Sequence, residues 1–450
     1  MFDCGVSEIN SRMLRNVPLI APITVQDAIM GTGKSSWIIE KFNELVDAGT
    51  QHNEPYLVIL PYLKEIERYM VSCPGMSFQE PLGDSDKRDN QYCDRANNEA
   101  NTKKDDFKML LESGYNILTT HRMFEMWDDD IALLVRDGGY HVVMDEEVSS
   151  ITPLSIPMNP GERRELLELD YISVDEETRK VSWDFEKSDD HDGKYTGNKK
   201  YEIIRNHCKS GTLYSYGDLC EKSIPLYVWT IPKQFFGVAK SYTILTYRFE
   251  SSDLCLFFRI NNIAYNVECP QIDRQKCIKG MAKQLISFID APKSVMSELS
   301  STSSLNISWY EKTSKKVKSK LRKAIGDCLK KTYSVESDNI IWACFKDYSK
   351  SSEMGIRGYL NQYLSWNCKG TNDYADRDVV VYLVNLYKHP AFHRYFDHNG
   401  IKFDQSGYAL SAILQFIWRS AIRKGKPIRV MIPNPRMKKL LVDWLDSDTL

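Results

Sequence analysis

Eight consecutive residues, Ala28-Ile29-Met30-Gly31-Thr32-Gly33-Lys34-Ser35, constrain this chain more than any other feature of its sequence. They stand between an apolar run, Ile23–Val25, and a stretch with helical spacing, Lys34–Ala48. Glycine tolerates the left-handed backbone that lets successive N–H groups turn inward on phosphate oxygens. The helix that follows offers its first N–H groups, which lack intrahelical partners, to the same anion. A lysine at the end of such a loop reaches the β and γ phosphates, and the hydroxyl after it can ligate Mg²⁺. The segment is therefore expected to bind ATP through Gly31, Thr32, Gly33, Lys34 and Ser35. Where the general pattern has its first glycine, this chain has Ala28.

Phosphoryl transfer to water also needs a carboxylate in the metal shell and a group that orients the attacking water. The run Tyr140-His141-Val142-Val143-Met144 reads as a strand and ends on Asp145-Glu146-Glu147. Asp145 is expected at the Mg²⁺ and Glu146 at the water. Adjacent acids at a strand end are also common in solvated loops, so this assignment leans on the upstream glycine loop. Much later, Gly407–Arg423 has helical spacing, with Leu414, Ile417, Trp418, Ala421 and Ile422 on an apolar side. Gln415, Arg419 and Arg423 recur every four residues and are expected on one helix face. An arginine against the γ-phosphate stabilises charge in the transition state; a solvated arginine stripe is the alternative.

The 450 residues suffice for roughly two or three domains of about 150 residues each. Strands at Tyr56–Leu60, Asn116–Thr119 and Tyr140–Met144 alternate with helical stretches such as Tyr62–Val71. That alternation implies an α/β fold, a parallel sheet with helices on both faces. Ligands bind such sheets beyond the carboxyl ends of the strands, where both the glycine loop and Asp145 fall. Gln79–Asp106 reads as a long surface loop, and the polar, turn-rich segment 150–224 as an insertion. Strands are expected to resume at Tyr242–Tyr247, Leu254–Phe258 and Ile263–Val267. The serine-rich stretch Ser294–Ser304 reads as a linker or exposed loop. A second alternating region has strands at Asn339–Phe345, Val379–Leu383 and Ile428–Ile432 and a helix at Met437–Trp444. Two α/β domains, 1–270 and 271–450, account for this pattern.

Net charge is −2, so any binding to a polyanion must come from local basic patches. Lys312–Lys331 holds nine basic residues against one acid, with Val317, Leu321, Ala324, Ile325, Cys328 and Leu329 at helical spacing. Such a helix can track a nucleic-acid backbone or simply present a solvated face. The 11 cysteines form no CxxC and no cluster at zinc spacing, which suits free thiols in a reducing compartment. The start of the chain is not a basic region leading into an apolar one, and no run of about 18 apolar residues exists. The expectation is a cytoplasmic protein with no membrane partner.

With these motifs in this order, the chain resembles superfamily 2 helicases, and most of all the phage-encoded DNA helicases of that group. The resemblance runs from about Pro18 to Trp444. Its sharpest parts are the Ala28–Ser35 loop, Met144-Asp145-Glu146-Glu147, and three C-terminal stretches: Gly370–Arg377, Gln415–Arg423 and Ile432–Met437. The resemblance implies two RecA-like parallel-sheet domains, an insertion in the first, and an ATP cleft between them. Lys34, Ser35, Asp145 and Glu146 would serve from the first domain, and Gln415, Arg419 and Arg423 from the second. Nucleic-acid contacts would fall to Pro61 in Pro61-Tyr62-Leu63, to Thr120, His121 and Arg122, and to Thr371 and Asn372. Leu245-Thr246-Tyr247-Arg248-Phe249 stands where the family has its coupling motif.

Val148 follows the acidic motif in place of the usual His or Asp, and the two arginines are four residues apart where three is usual. The implied cofactors are ATP and Mg²⁺. The implied partners are single-stranded or partly duplex DNA, with RNA as the alternative, and other replication or recombination proteins, in a host cytoplasm. Two rival readings stay open. One is a nucleic-acid-stimulated ATPase that remodels or anneals without unwinding. The other is a P-loop NTPase or kinase independent of nucleic acid.

Overall fold

A computed structural model of the chain describes residue 14 and residues 17–83, 102–191, 193–216, 226–368 and 373–448. The chain divides into two compact units. The first takes the residues up to Val25, Trp37–Glu268 and Lys388–Phe403; the second takes Gln26–Ser36, Cys269–Tyr387 and the residues from Asp404 onward.

The strands, in chain order, are β1 (Ile23–Asp27), β2 (Tyr56–Leu60), β3 (Ile117–Thr120), β4 (His141–Asp145), β5 (Ile151–Leu154), β6 (Ile172–Val174), β7 (Val181–Trp183), β8 (Leu213–Tyr216), β9 (Leu226–Thr230), β10 (Ser241–Thr246), β11 (Asn266–Glu268), β12 (Ile286–Phe288), β13 (Ile340–Ala343), β14 (Val379–Tyr382) and β15 (Ile428–Met431). A six-stranded sheet, in the order β11-β1-β10-β4-β2-β3, organises the first unit. The pairs β10–β4, β4–β2 and β2–β3 are parallel. Side chains alternate across a strand. Leu57 and Ile59 accordingly enter one apolar cluster with Ile117, Val142 and Met144, while Val58 and Leu60 enter another with Ile38, Phe42, Ile66 and Tyr69. Burial on both faces is why β2 and β4 read as unbroken apolar runs.

The run Leu254–Phe258, expected as a strand, lies in a helix, Asp253–Ile260, whose first turn Ser252 caps by accepting from the Cys255 N–H at 3.1 Å. All five side chains are buried. An apolar run buried all round has no period, so sequence alone cannot separate helix from strand there. The strand expected at Ile263–Val267 is the shorter, later β11. The loop expected at Gln79–Asp106 gives way at Lys103 to a helix, Lys103–Glu112, started by a Thr102/Asp105 capping box.

Segment 150–224 contains regular structure, which pairs with β9 just beyond it. Strands β5, β9 and β8 pair antiparallel, β6 and β7 form a two-stranded ribbon, and Leu166, Trp183, Tyr201, Ile204 and Tyr227 make a separate apolar cluster. The helix Pro390–His398 adds Phe392, Tyr395 and Phe396 to the first unit's core, with the Tyr395 ring 5.4 Å from that of Tyr214.

The second unit holds a four-stranded sheet, β12-β15-β14-β13, parallel throughout. Ser294–Ser304 is folded structure here: Lys293–Leu299 is a helix and Ser304 is buried. Asn434 Nδ2 donates to the Ser304 carbonyl at 2.9 Å and to its hydroxyl at 3.1 Å. The basic stretch forms the helix Lys315–Lys331, but Lys318 is buried in it, donating to the Tyr310 carbonyl and pairing with Glu353. Lys315, Lys316 and Lys320 remain exposed.

Candidate nucleotide site

The glycine loop is the best-formed element of the expected chemistry. Beyond β1, Ala28 and Ile29 are fully buried, and the chain then turns with Gly31 at φ 87° and Gly33 at φ 94°. Both values lie where L side chains are strained, so the two glycines are conformational requirements. Thr32 is buried, and its N–H and hydroxyl both donate to the Ile29 carbonyl, at 3.3 and 2.9 Å. Lys34 opens the helix Lys34–Asp47, and its ammonium folds back over the loop to donate to the carbonyls of Ala28 and Ile29. Ser35 follows it in the first turn.

Three side chains that sequence reading did not select stand against this loop, all within the second unit. Gln275 is buried; its Oε1 accepts from the Ile29 N–H at 3.0 Å while its Nε2 donates to the Pro270 carbonyl at 2.7 Å. A Cβ placed on Gly31 would lie 3.7 Å from Trp418 Nε1, and one on Gly33 would lie 3.7 Å from Arg274 Nη1. These contacts join residues hundreds of positions apart, and no local spacing announces them.

Asp145 ends β4 in the sheet that also contains β1. It is only 7% exposed, and Oδ2 accepts from the Tyr69 hydroxyl at 3.1 Å. Burial, then the charge of Asp145, pushes the Tyr69 phenol well above its usual range, so it stays a hydrogen-bond donor to the carboxylate. Tyr69 lies within the stretch Tyr62–Val71 expected as a helix, where nothing in the sequence singles it out. Glu146 follows at φ 70°, an uncommon conformation for a residue with a side chain, and its N–H donates to the Leu245 carbonyl at 2.9 Å. Among the described residues no group of three or more His, Cys, Asp or Glu gathers around a metal position.

Of the residues assigned to nucleic acid, Pro61, Thr120 and Arg122 line one cavity of about 330 Å³ in the first unit, together with Tyr62 and Glu80. Arg122 pairs with Glu125 at 2.9 Å. His121 Nε2 lies 3.1 Å from the Asp145 carbonyl, which ties the end of β3 to the end of β4. Thr371 and Asn372 lie outside the described residues.

Gln415, Arg419 and Arg423 do not share a helix face. The helix Gln405–Ile417 ends before the arginines, because Ser420 adopts an extended backbone and its hydroxyl donates to the Ile417 carbonyl at 2.7 Å. Gln415 is in the last turn, Arg419 is buried, and Arg423 lies in a separate 3₁₀ turn, Ala421–Lys424, and is exposed. Arg419 nonetheless follows directly on Trp418, whose Nε1 lies 3.7 Å from the position a Cβ on Gly31 would take.

Residues 281–445 match the family described as the YonV C-terminal Rossmann-like domain. Over 440 residues the chain is 28% identical to the SPbeta prophage-derived uncharacterized protein YonV of Bacillus subtilis (strain 168), a match covering 94% of this chain and 99% of that protein. No helix among the described residues is long and apolar enough to cross a membrane. The chain is thus an α/β protein of parallel sheets, with a Rossmann-like domain in its C-terminal part, similar along nearly its whole length to a prophage-derived protein.

Proposed function

We propose that the chain binds and hydrolyses Mg²⁺-ATP at the Gly31–Ser35 loop and uses the cycle to move on or unwind DNA. The observation that carries the nucleotide reading is the loop itself. Two left-handed glycines, a lysine folded over the loop carbonyls and a helix beginning at that lysine form the apparatus that holds a triphosphate. Lys34 neutralises phosphate charge, Ser35 and Asp145 hold the Mg²⁺, and Glu146 orients the attacking water. Arg419 is the arginine favoured for the transition-state charge, since its neighbour Trp418 stands beside Gly31 of the loop.

The DNA reading rests on the cavity lined by Pro61, Thr120 and Arg122, and on the bond from His121 to the main chain of Asp145. A nucleic-acid contact at β3 that shifts His121 also shifts the acidic strand end, a physical route from grip to hydrolysis. In this reading the chain has two RecA-like domains that close on ATP. The test is the ATPase rate with Mg²⁺ in the presence of single-stranded DNA, duplex DNA and RNA, each at two salt concentrations. Stimulation by DNA is expected, and Lys34→Ala and Glu146→Gln should each lower turnover about 10²-fold or more. A rate that neither DNA nor RNA alters removes the motor and leaves an NTPase. Hydrolysis with DNA but no strand displacement or translocation identifies a remodelling ATPase.

A further inference from the structure

The helix Ile272–Leu285 begins beside the glycine loop, and its first turn is fixed there by one side chain. Gln275 is 2% exposed and hydrogen-bonded at both ends of its amide, accepting from Ile29 and donating to Pro270. With Gln275 so anchored, the preceding Arg274 stands over the other end of the loop. Its Nη1 and Nη2 lie 3.7 and 3.9 Å from the position of a Cβ on Gly33. Gly33 immediately precedes Lys34, which in the nucleotide reading meets the β and γ phosphates, so the guanidinium stands beside the residue next to that lysine. Arg274 is otherwise lightly held. It is exposed, it donates to Gln271 Oε1 at a long 3.4 Å, and among the described residues no carboxylate pairs with it.

We propose that Arg274 is a second phosphate-contacting cation of this loop, one that distinguishes a nucleoside triphosphate from a diphosphate. The proposal rests on the nucleotide reading above. A planar guanidinium can grip a terminal phosphate through two parallel N–H groups, which an ammonium cannot do. The Gln275–Ile29 bond sets the position, so Gln275 is a positioning residue and Arg274 the contact.

The experiment titrates the full chain, in Mg²⁺, with fluorescently labelled ATP and ADP. It compares the unaltered protein with Arg274→Ala, Arg274→Lys, Lys34→Ala and, as a control, Lys276→Ala, an exposed residue on the same helix. Arg274→Ala should weaken ATP binding about tenfold or more while ADP binding changes less than about threefold. Arg274→Lys should recover part of the loss, and Lys276→Ala should bind as the unaltered chain does. Two results overturn the proposal while leaving the nucleotide reading in place. One is an ATP affinity unchanged in Arg274→Ala but lost in Lys34→Ala. The other is an equal loss of ATP and ADP accompanied by a lower melting temperature, which would make Arg274 a structural support. If the unaltered chain binds neither nucleotide, the nucleotide reading fails and this proposal fails with it.

Discussion

Ala28 replaces a glycine of the general loop pattern, and the structure shows why it is tolerated. Its backbone is not in the left-handed region, whereas Gly31 and Gly33 both are. Ala28→Gly should therefore leave nucleotide affinity unchanged and lower stability by up to about 1 kcal/mol through added freedom of the unfolded chain. Gly33→Ala should lower both stability and nucleotide affinity. A left-handed alanine costs about 1–2 kcal/mol, and the loop would be expected to relax away from phosphate-binding geometry. Thermal melts paired with nucleotide titration separate the two outcomes. Glu146 carries a comparable strain at φ 70°. Glu146→Gly should raise stability by about 1 kcal/mol while abolishing hydrolysis, the signature of strain kept for function; a stability gain with full turnover would remove Glu146 from the chemistry. At this scale the sequence was informative about Gly31–Ser35 and Asp145, because short motifs encode local backbone shape. It was silent about Arg274 and Gln275, and showed Trp418 only as an apolar-side residue, because long-range contacts leave no local period.

Among the elements, helix ends were harder to read than helix existence. The spacing of Gln415, Arg419 and Arg423 is helical, yet Ser420 breaks the helix through a hydroxyl bond to Ile417 that a periodicity count cannot register. The buried helix Asp253–Ile260 failed in the opposite way, since its uniform apolarity erased the period that marks helices. The basic helix Lys315–Lys331 is amphipathic as read, but one of its lysines belongs to the core. Lys318→Ala leaves Glu353 partly buried without its partner and should destabilise by about 3 kcal/mol in a denaturant melt. Neutralising the exposed Lys315, Lys316 and Lys320 together should leave the melt unchanged. If this face follows a nucleic-acid backbone, the same variant should flatten the salt dependence of DNA binding by about two to three charges.

For the molecule as a whole, strand–helix alternation revealed parallel sheets in both halves because strands buried on two faces must be apolar throughout. The segment 150–224 was opaque for the complementary reason. Its strands are short and its sheets antiparallel, and much of it is exposed, so its small core was diluted by polar residues. The helix Pro390–His398 escaped because nothing in its own sequence names the first unit as its neighbour.

That helix has a consequence for how the protein comes apart. The chain passes from one unit to the other at 25/26, 36/37, 268/269, 387/388 and 403/404. It is stitched, and no single seam can be unpicked to free a half. A protease site built into the turn at Asn261–Asn262 should yield two fragments that still co-elute on size exclusion, held by Phe392, Tyr395 and Phe396 in the first unit's core. Separate peaks after cleavage would show that stitch to be weak. For the same reason, a fragment starting at residue 271 carries three aromatic side chains with their packing partners missing, and should aggregate where the intact chain does not.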